Sequence, residues 1–221
     1  MPLKLYYISD SPPATAVKMT LTALNVPHTI VDVDYMKGEH TTEAYAKLNP
    51  QKEVPVLDDD GFYLSESVAM MQYICDKYAK DDTFYPKDPQ RRAVVNHRLI
   101  FNISTYYRYI IEYTFGPVFA GYERTDEHKK KAEKGISVLE TYLSRQGTKF
   151  AAGDTVTIAD FGLVVATMCL EAIGFDLSPY PTIQKWYADF KVTKPDLWAV
   201  AEPAMKELHG FYLNPPDLSK K

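Results

Sequence analysis

Leu3-Lys4-Leu5-Tyr6-Tyr7-Ile8-Ser9-Asp10-Ser11-Pro12-Pro13 is the stretch whose reading decides the fold. An apolar, tyrosine-rich run over residues 3–8 stops at a short polar cluster, and beyond it Val17, Leu21 and Leu24 recur at helical spacing. The order is strand, turn, helix. Asn25-Val26-Pro27 then breaks the helix, and Thr29-Ile30-Val31-Asp32-Val33 reads as a second strand. A βαβ unit with parallel strands and a right-handed crossover follows from that order.

Outward from this unit, a polar stretch around Lys37-Gly38-Glu39-His40 leads to Val54-Pro55-Val56-Leu57 and Phe62-Tyr63-Leu64. The turn cluster Asp58-Asp59-Asp60-Gly61 between them reads as a hairpin, with Gly61 supplying positive φ. After Ser65-Glu66-Ser67, the shared face of Met70, Ile74 and Cys75 marks a helix behind a polar cap. Residues 80–87 fall in an aperiodic stretch with several Asp and Pro residues and read as a linker. Beyond it, helical patterns run through about 89–118, 126–146, 158–172, 182–191 and 198–210, with no convincing strand. The expected class is therefore α/β plus all-α, with a small α/β domain over 1–79 and a helical domain over 88–221.

Composition sets limits on function. The 221 residues carry a formal net charge of −4, which gives no pull toward nucleic acid or an anionic membrane. Lys129-Lys130-Lys131 lies among acidic residues and reads as a solvated helix face. No apolar run is long enough to span a bilayer, and no signal-type leader opens the chain, so a soluble, cytoplasmic protein is expected. Cys75 and Cys169, the two cysteines, sit in apolar segments without metal-ligand or redox spacing and read as buried free thiols; no metal site is expected.

Four places could carry chemistry or only structure. Ser11 precedes two prolines at a helix start, where a serine is an ordinary N-cap; its hydroxyl could also donate to a thiolate held over the helix's positive end. Each pKa unit removed from such a thiol corresponds to about 1.4 kcal/mol of preferential thiolate stabilisation. Pro55 is either an edge-strand proline or a cis proline whose neighbour Val54 turns its backbone outward to pair with an extended peptide. Glu66 and Ser67 are capping groups that could equally hold the ammonium and carboxylate of an α-amino acid. Thr157 and Asp160 have capping-box spacing, a structural role for which loss of the cap costs about 0.5–2 kcal/mol.

Taken in order, these pieces and Leu48-Asn49-Pro50-Gln51 resemble a cytosolic glutathione transferase, most of all the insect delta and epsilon classes. The resemblance spans nearly the whole chain. It implies a thioredoxin-like first domain, Ser11 as thiol activator, a cis Pro55, and Glu66 and Ser67 holding the γ-glutamyl end of glutathione. Val54 would pair with the cysteinyl backbone, and His40 and Lys52 would reach the glycine carboxylate. The first long helix of the second domain would present Tyr107, Ile110, Phe115 and Phe119 to a hydrophobic electrophile, with Phe211 beside them. The resemblance further implies a homodimer and glutathione as co-substrate, with no prosthetic group.

Three positions depart from the pattern. Lys52 stands where these classes usually have histidine, Val68 where the delta pattern has arginine, and Asn102 where an acidic residue often supports the γ-glutamyl site. They leave a non-catalytic hydrophobic-ligand carrier or interaction module of the same fold as the alternative to an enzyme that conjugates glutathione and reduces peroxides. A thioredoxin-type disulfide exchange is disfavoured, because Ser11-Pro12-Pro13-Ala14 contains no cysteine.

Overall fold

The structure is a computed structural model that describes residues 3–216, so the expected outer domain limits at 1 and 221 lie outside the described residues. Four strands, β1 (Leu3–Tyr7), β2 (His28–Asp32), β3 (Val56–Asp59) and β4 (Phe62–Leu64), form one sheet in the order β2-β1-β3-β4. β1 is parallel to β2 and antiparallel to β3, and β3 is antiparallel to β4. Leu3, Leu5 and Tyr7 alternate into the main core, which α1 (Pro12–Ala23) and α3 (Ser67–Tyr78) complete. Tyr6 points the other way, into a smaller cluster with Val33, Val56 and Tyr45 of the short helix α2 (Glu43–Ala46).

The hairpin is tighter than the aspartate cluster suggests. Asp58 and Asp59 remain in β3 opposite Tyr63 and Phe62, and the turn is confined to Asp60 and Gly61, both at positive φ. Asp58 permits this because its carboxylate accepts the Gly61 N–H at 2.8 Å, and two positive-φ residues match the twist of the strands they join.

The C-terminal part is helical: α4 (Pro89–Phe101), α5 (Tyr107–Thr114), α6 (Gly116–Ala120), α7 (Asp126–Gln146), α8 (Ile158–Ala172), α9 (Pro181–Thr193) and α10 (Pro195–Leu213). The single helix expected over 89–118 is divided by a π-helical segment, Asn102–Tyr106. Neither proline nor glycine marks that segment. A π-turn widens the helix without such residues and is frequent near functional sites.

α8 is the axis of the molecule. Within it every side chain except Glu171 is buried, the pattern of a helix apolar all round, and α1, α4, α5 and α10 pack against it. Each large apolar side chain buried there contributes about 1.5–3 kcal/mol. α1 also packs on α10, so the N-terminus of α1 is held against the helical part.

Asp160 anchors the start of α8. Its fully buried carboxylate accepts hydrogen bonds from the Ala151 and Thr157 N–H groups at 2.9 and 2.8 Å, the Thr157 hydroxyl at 3.2 Å and the Trp186 indole at 2.9 Å. Cys75 and Cys169 are buried and unbridged, and burial pushes the Cys75 thiol up to about 12. Among the described residues no helix is long and apolar enough to cross a membrane.

Candidate active site

β1 delivers the chain to Ser11, the N-cap of α1, in extended conformation with φ −81° and ψ 110°. Pro12 and Pro13 have no N–H, so Ala14 offers the first helical donor of the turn. The Ser11 Oγ accepts that N–H at 3.4 Å, a long bond, while the Ser11 carbonyl takes the Thr15 N–H and hydroxyl, each at 2.9 Å. Because Oγ accepts at this cap, the hydroxyl proton is free to be donated elsewhere. With two donors missing from the first turn, that hydroxyl is a donor the helix end can offer to an anion.

Ser11 lines a cavity of about 210 Å³. Ile8, Pro12 and Val54 from the first part, and Tyr107, Ile111, Phe119 and Leu208 from the second, give it a largely apolar wall, which Asp10 and Tyr35 complete. A second cavity of about 220 Å³ adjoins it, lined by Asn49, Gln51, Glu53, Pro55, Glu66 and Ser67 together with Pro13 and Ile103. Val54 and Tyr107 belong to both. The two are therefore one cleft with a polar end, an apolar end and a shared waist.

The polar end is preorganised. Asn49 is buried; its side chain accepts the Gln51 N–H at 3.0 Å and donates to the Glu53 carbonyl at 2.9 Å, which fixes the loop ahead of Val54. The Val54–Pro55 bond is cis. Glu66, the N-cap of α3, is held at φ 66° and ψ 106°, a conformation that costs a residue other than glycine about 1–3 kcal/mol and is typically retained at ligand sites. Its carboxylate accepts from Gln51 Nε2 at 3.0 Å, and Ser67 follows as the first residue of the helix.

Lys52 and His40, both expected at the glycine carboxylate, line neither cavity. The Lys52 ammonium donates to the Thr41 carbonyl at 2.8 Å and to Glu43 Oε1 at 3.1 Å, so the cation is tied to the segment carrying His40. His40 stacks on Tyr35 at 4.0 Å between ring centres, and Tyr35 is the ring that reaches the cavity wall. Phe211 stands one ring back in the same way, edge-on to Phe119 at 5.6 Å.

Two expected electrophile-site residues, Ile110 and Phe115, are fully buried and do not line the cleft. Tyr106, Ile110 and Thr114 form an i, i+4, i+8 stripe buried where α5 packs against α7 and α8. Tyr107 and Ile111 lie one residue further on, about 100° around the helix, and face the cleft. Phe115 sits behind Phe119, 6.3 Å between ring centres, as its support. Ile8, Asp10, Tyr35, Ile111 and Leu208 are cavity residues that sequence reasoning missed. For Ile111 the i, i+4 spacing from Tyr107 was an available signal; for Leu208, far along the chain, none was.

Asp10, on the apolar wall beside Ser11, is unusual in its ionisation. Burial, and then the negative charge of Glu207 on α10, push its carboxyl up to about 6.

Residues 5–82 match the sequence model described as glutathione S-transferase, N-terminal domain, and residues 103–191 match glutathione S-transferase, C-terminal domain. A diazinon-metabolizing glutathione S-transferase of the silkworm Bombyx mori is 55% identical, with a TM-score of 0.89 over 95% of this chain and 100% of that one. A delta-class glutathione transferase of Nilaparvata lugens is 36% identical (TM-score 0.91, 97% and 100% covered). An epsilon-class enzyme of the housefly Musca domestica is 33% identical (TM-score 0.89, 96% and 98% covered). With both family models matched in order and these insect enzymes alike over nearly their whole length, the chain belongs to the glutathione S-transferase family, as a glutathione transferase of thioredoxin-like and helical parts.

Proposed function

We propose that glutathione lies in the polar end of the cleft and a hydrophobic electrophile in the apolar end, with the sulfur at the waist beside Ser11. The observation that carries this reading is the sharing of Val54 and Tyr107 by both cavities, which makes them neighbouring ends of one cleft. Glu66 takes the γ-glutamyl ammonium, and Ser67 with the first amides of α3 takes the adjacent carboxylate. The Val54 backbone pairs with the cysteinyl unit. Lys52, with His40 nearby, holds the glycine carboxylate.

The Ser11 hydroxyl donates to the thiolate. The proton leaves glutathione before attack, and sulfur then displaces a leaving anion from an aromatic ring, adds to a Michael acceptor, or attacks a hydroperoxide oxygen, releasing the alcohol while a second glutathione completes the disulfide. Thiolate stabilisation and proximity supply the rate. Tyr107 and Phe119 form the electrophile wall, with Ile111 in the place expected of Ile110, and Phe211 supports Phe119.

In this reading residues 1–79 form the glutathione-binding domain, 80–87 the linker and 88–221 the electrophile-binding domain. The enzyme works in the cytoplasm as a homodimer that detoxifies xenobiotics, a role supported by the silkworm relative that metabolises diazinon. Exposed Phe62, Tyr63 and Ile100 favour the dimer, because they are large apolar side chains that a partner copy would cover. Conjugation of chlorodinitrobenzene by Ser11→Ala tests the assignment. The variant should lose most turnover and keep its glutathione affinity; an unchanged rate would leave Ser11 with capping alone.

A further inference from the structure

Among the described residues that line the apolar end of the cleft, Asp10 carries the only carboxyl. It precedes Ser11 in the chain, in a turn where the Ser11 N–H is bonded to the Ile8 carbonyl at 3.2 Å, and both residues line the same cavity. The ionisable groups facing it are Tyr7 of β1, Tyr107 of α5, Cys169 of α8 and Glu207 of α10. None is a cation. An ionised Asp10 would therefore have only its own backbone N–H and no cation to offset its charge, and it would oppose a thiolate held at the neighbouring residue. A neutral Asp10 avoids both conflicts and places a hydrogen-bond and proton donor on the wall of the apolar end.

What such a donor does depends on the departing atom. Chloride leaving an aromatic ring is a stable anion and needs no proton. The oxygen of an opening epoxide becomes a strongly basic alkoxide and does. We propose that Asp10 donates a proton to the oxygen that parts from carbon as the thiolate adds, making epoxides and related electrophiles with a basic leaving oxygen favoured substrates of this enzyme. The inference rests on the seating of glutathione proposed above.

In the step, sulfur donates an electron pair to form the C–S bond, the C–O bond breaks with its pair passing to oxygen, and that oxygen takes the Asp10 proton. Asp10 regains a proton from water, matching the one released when glutathione ionised. The net change is glutathione plus epoxide giving a hydroxyalkyl thioether. A carboxyl lifted to about 6 suits the task, since an acid works best near the operating pH, and an apolar electrophile that displaces water from the wall lifts it further.

The test compares kcat/KM for styrene oxide and for chlorodinitrobenzene at saturating glutathione, from about pH 5.5 to about pH 8.5, in the wild type, Asp10→Asn and Asp10→Glu. In the wild type the epoxide-to-halide ratio should decline as pH rises through the ionisation of Asp10, a measurement that needs no variant. In Asp10→Asn the ratio should fall by roughly tenfold or more and lose its pH dependence, and Asp10→Glu should restore part of it. Equal losses on both substrates, or a wild-type ratio flat with pH, would overturn the proposal and leave Asp10 a structural part of the wall. Conjugation of the halide without the epoxide would overturn it too. A wild type that conjugates neither substrate would contradict the seating of glutathione itself.

Discussion

At the start of α8, the Asp160 carboxylate accepts four hydrogen bonds in full burial, and Thr157 has both its N–H and its hydroxyl matched to it. At the start of α1, Ser11 accepts one long bond from Ala14, two prolines follow it, and the half-buried hydroxyl looks into a cavity. Both are helix N-termini built on a hydroxyl side chain. The difference lies in where the polar capacity goes: inward and completely satisfied in α8, outward and partly unmet in α1. A helix end that fastens the fold has nothing left for a ligand, and one that serves a ligand contributes little to the fold.

Exchanging the two roles should therefore fail in opposite ways. Asp160→Ala leaves buried donors at Ala151, Thr157 and Trp186 without an acceptor, at about 1–3 kcal/mol each. We expect a loss of at least about 3 kcal/mol in denaturant unfolding, or no soluble protein. A variant as stable as the wild type would contradict the anchoring role. Ser11→Ala should instead lower turnover by about 10²-fold, as removal of a donor to a reacting anion does, with under about 1 kcal/mol change in stability because the cap bond is weak.

Asp10 sharpens the contrast by making the ligand-facing end pH-sensitive. Its carboxyl is raised in the folded state, so the stability linked to its proton is fully present below about pH 3.8 and is lost as pH rises through about 6. Asp10→Asn cannot ionise. Its melting temperature should match the wild type at the acid end of that window and exceed it by a few degrees above about pH 7. A pH-independent difference would show that Asp10 is not raised.

The smallest effect belongs to the rim. The Lys52–Glu43 pair joins an intermediate side chain to a nearly fully exposed one, and such pairs contribute about 0.2–1 kcal/mol. Glu43→Gln should free Lys52 and lower the KM for glutathione by about two- to threefold. A raised KM would mean that Glu43 positions the lysine rather than competing for it.

Much of this is legible in the sequence. Turn residues and periodicity placed the βαβ unit, α7 and α8 to the residue or nearly so, and the spacing of Thr157 and Asp160 announced their pairing. Ser11 can be located but not judged, because a serine before proline looks the same whether its hydroxyl only caps the helix or also donates to a ligand. The π-segment was invisible because Asn102–Tyr106 contains no residue that forbids an α-helix. Periodicity shows that a helix has a buried face, but packing on α7 and α8 decides which residues form it, and that packing puts Ile110 inside and Ile111 in the cleft. Leu208 reaches the cleft only because α10 folds back onto α1.

The central claim is that Ser11 lowers the pKa of the thiol of bound glutathione. Titrating the ultraviolet absorbance of the thiolate in the binary complex, for the wild type and for Ser11→Ala, tests it directly. We expect the bound thiol to ionise roughly two units below its free value in the wild type and to return close to that value in the variant. An equally depressed pKa in Ser11→Ala would contradict the account and move thiolate stabilisation to another group in the cleft.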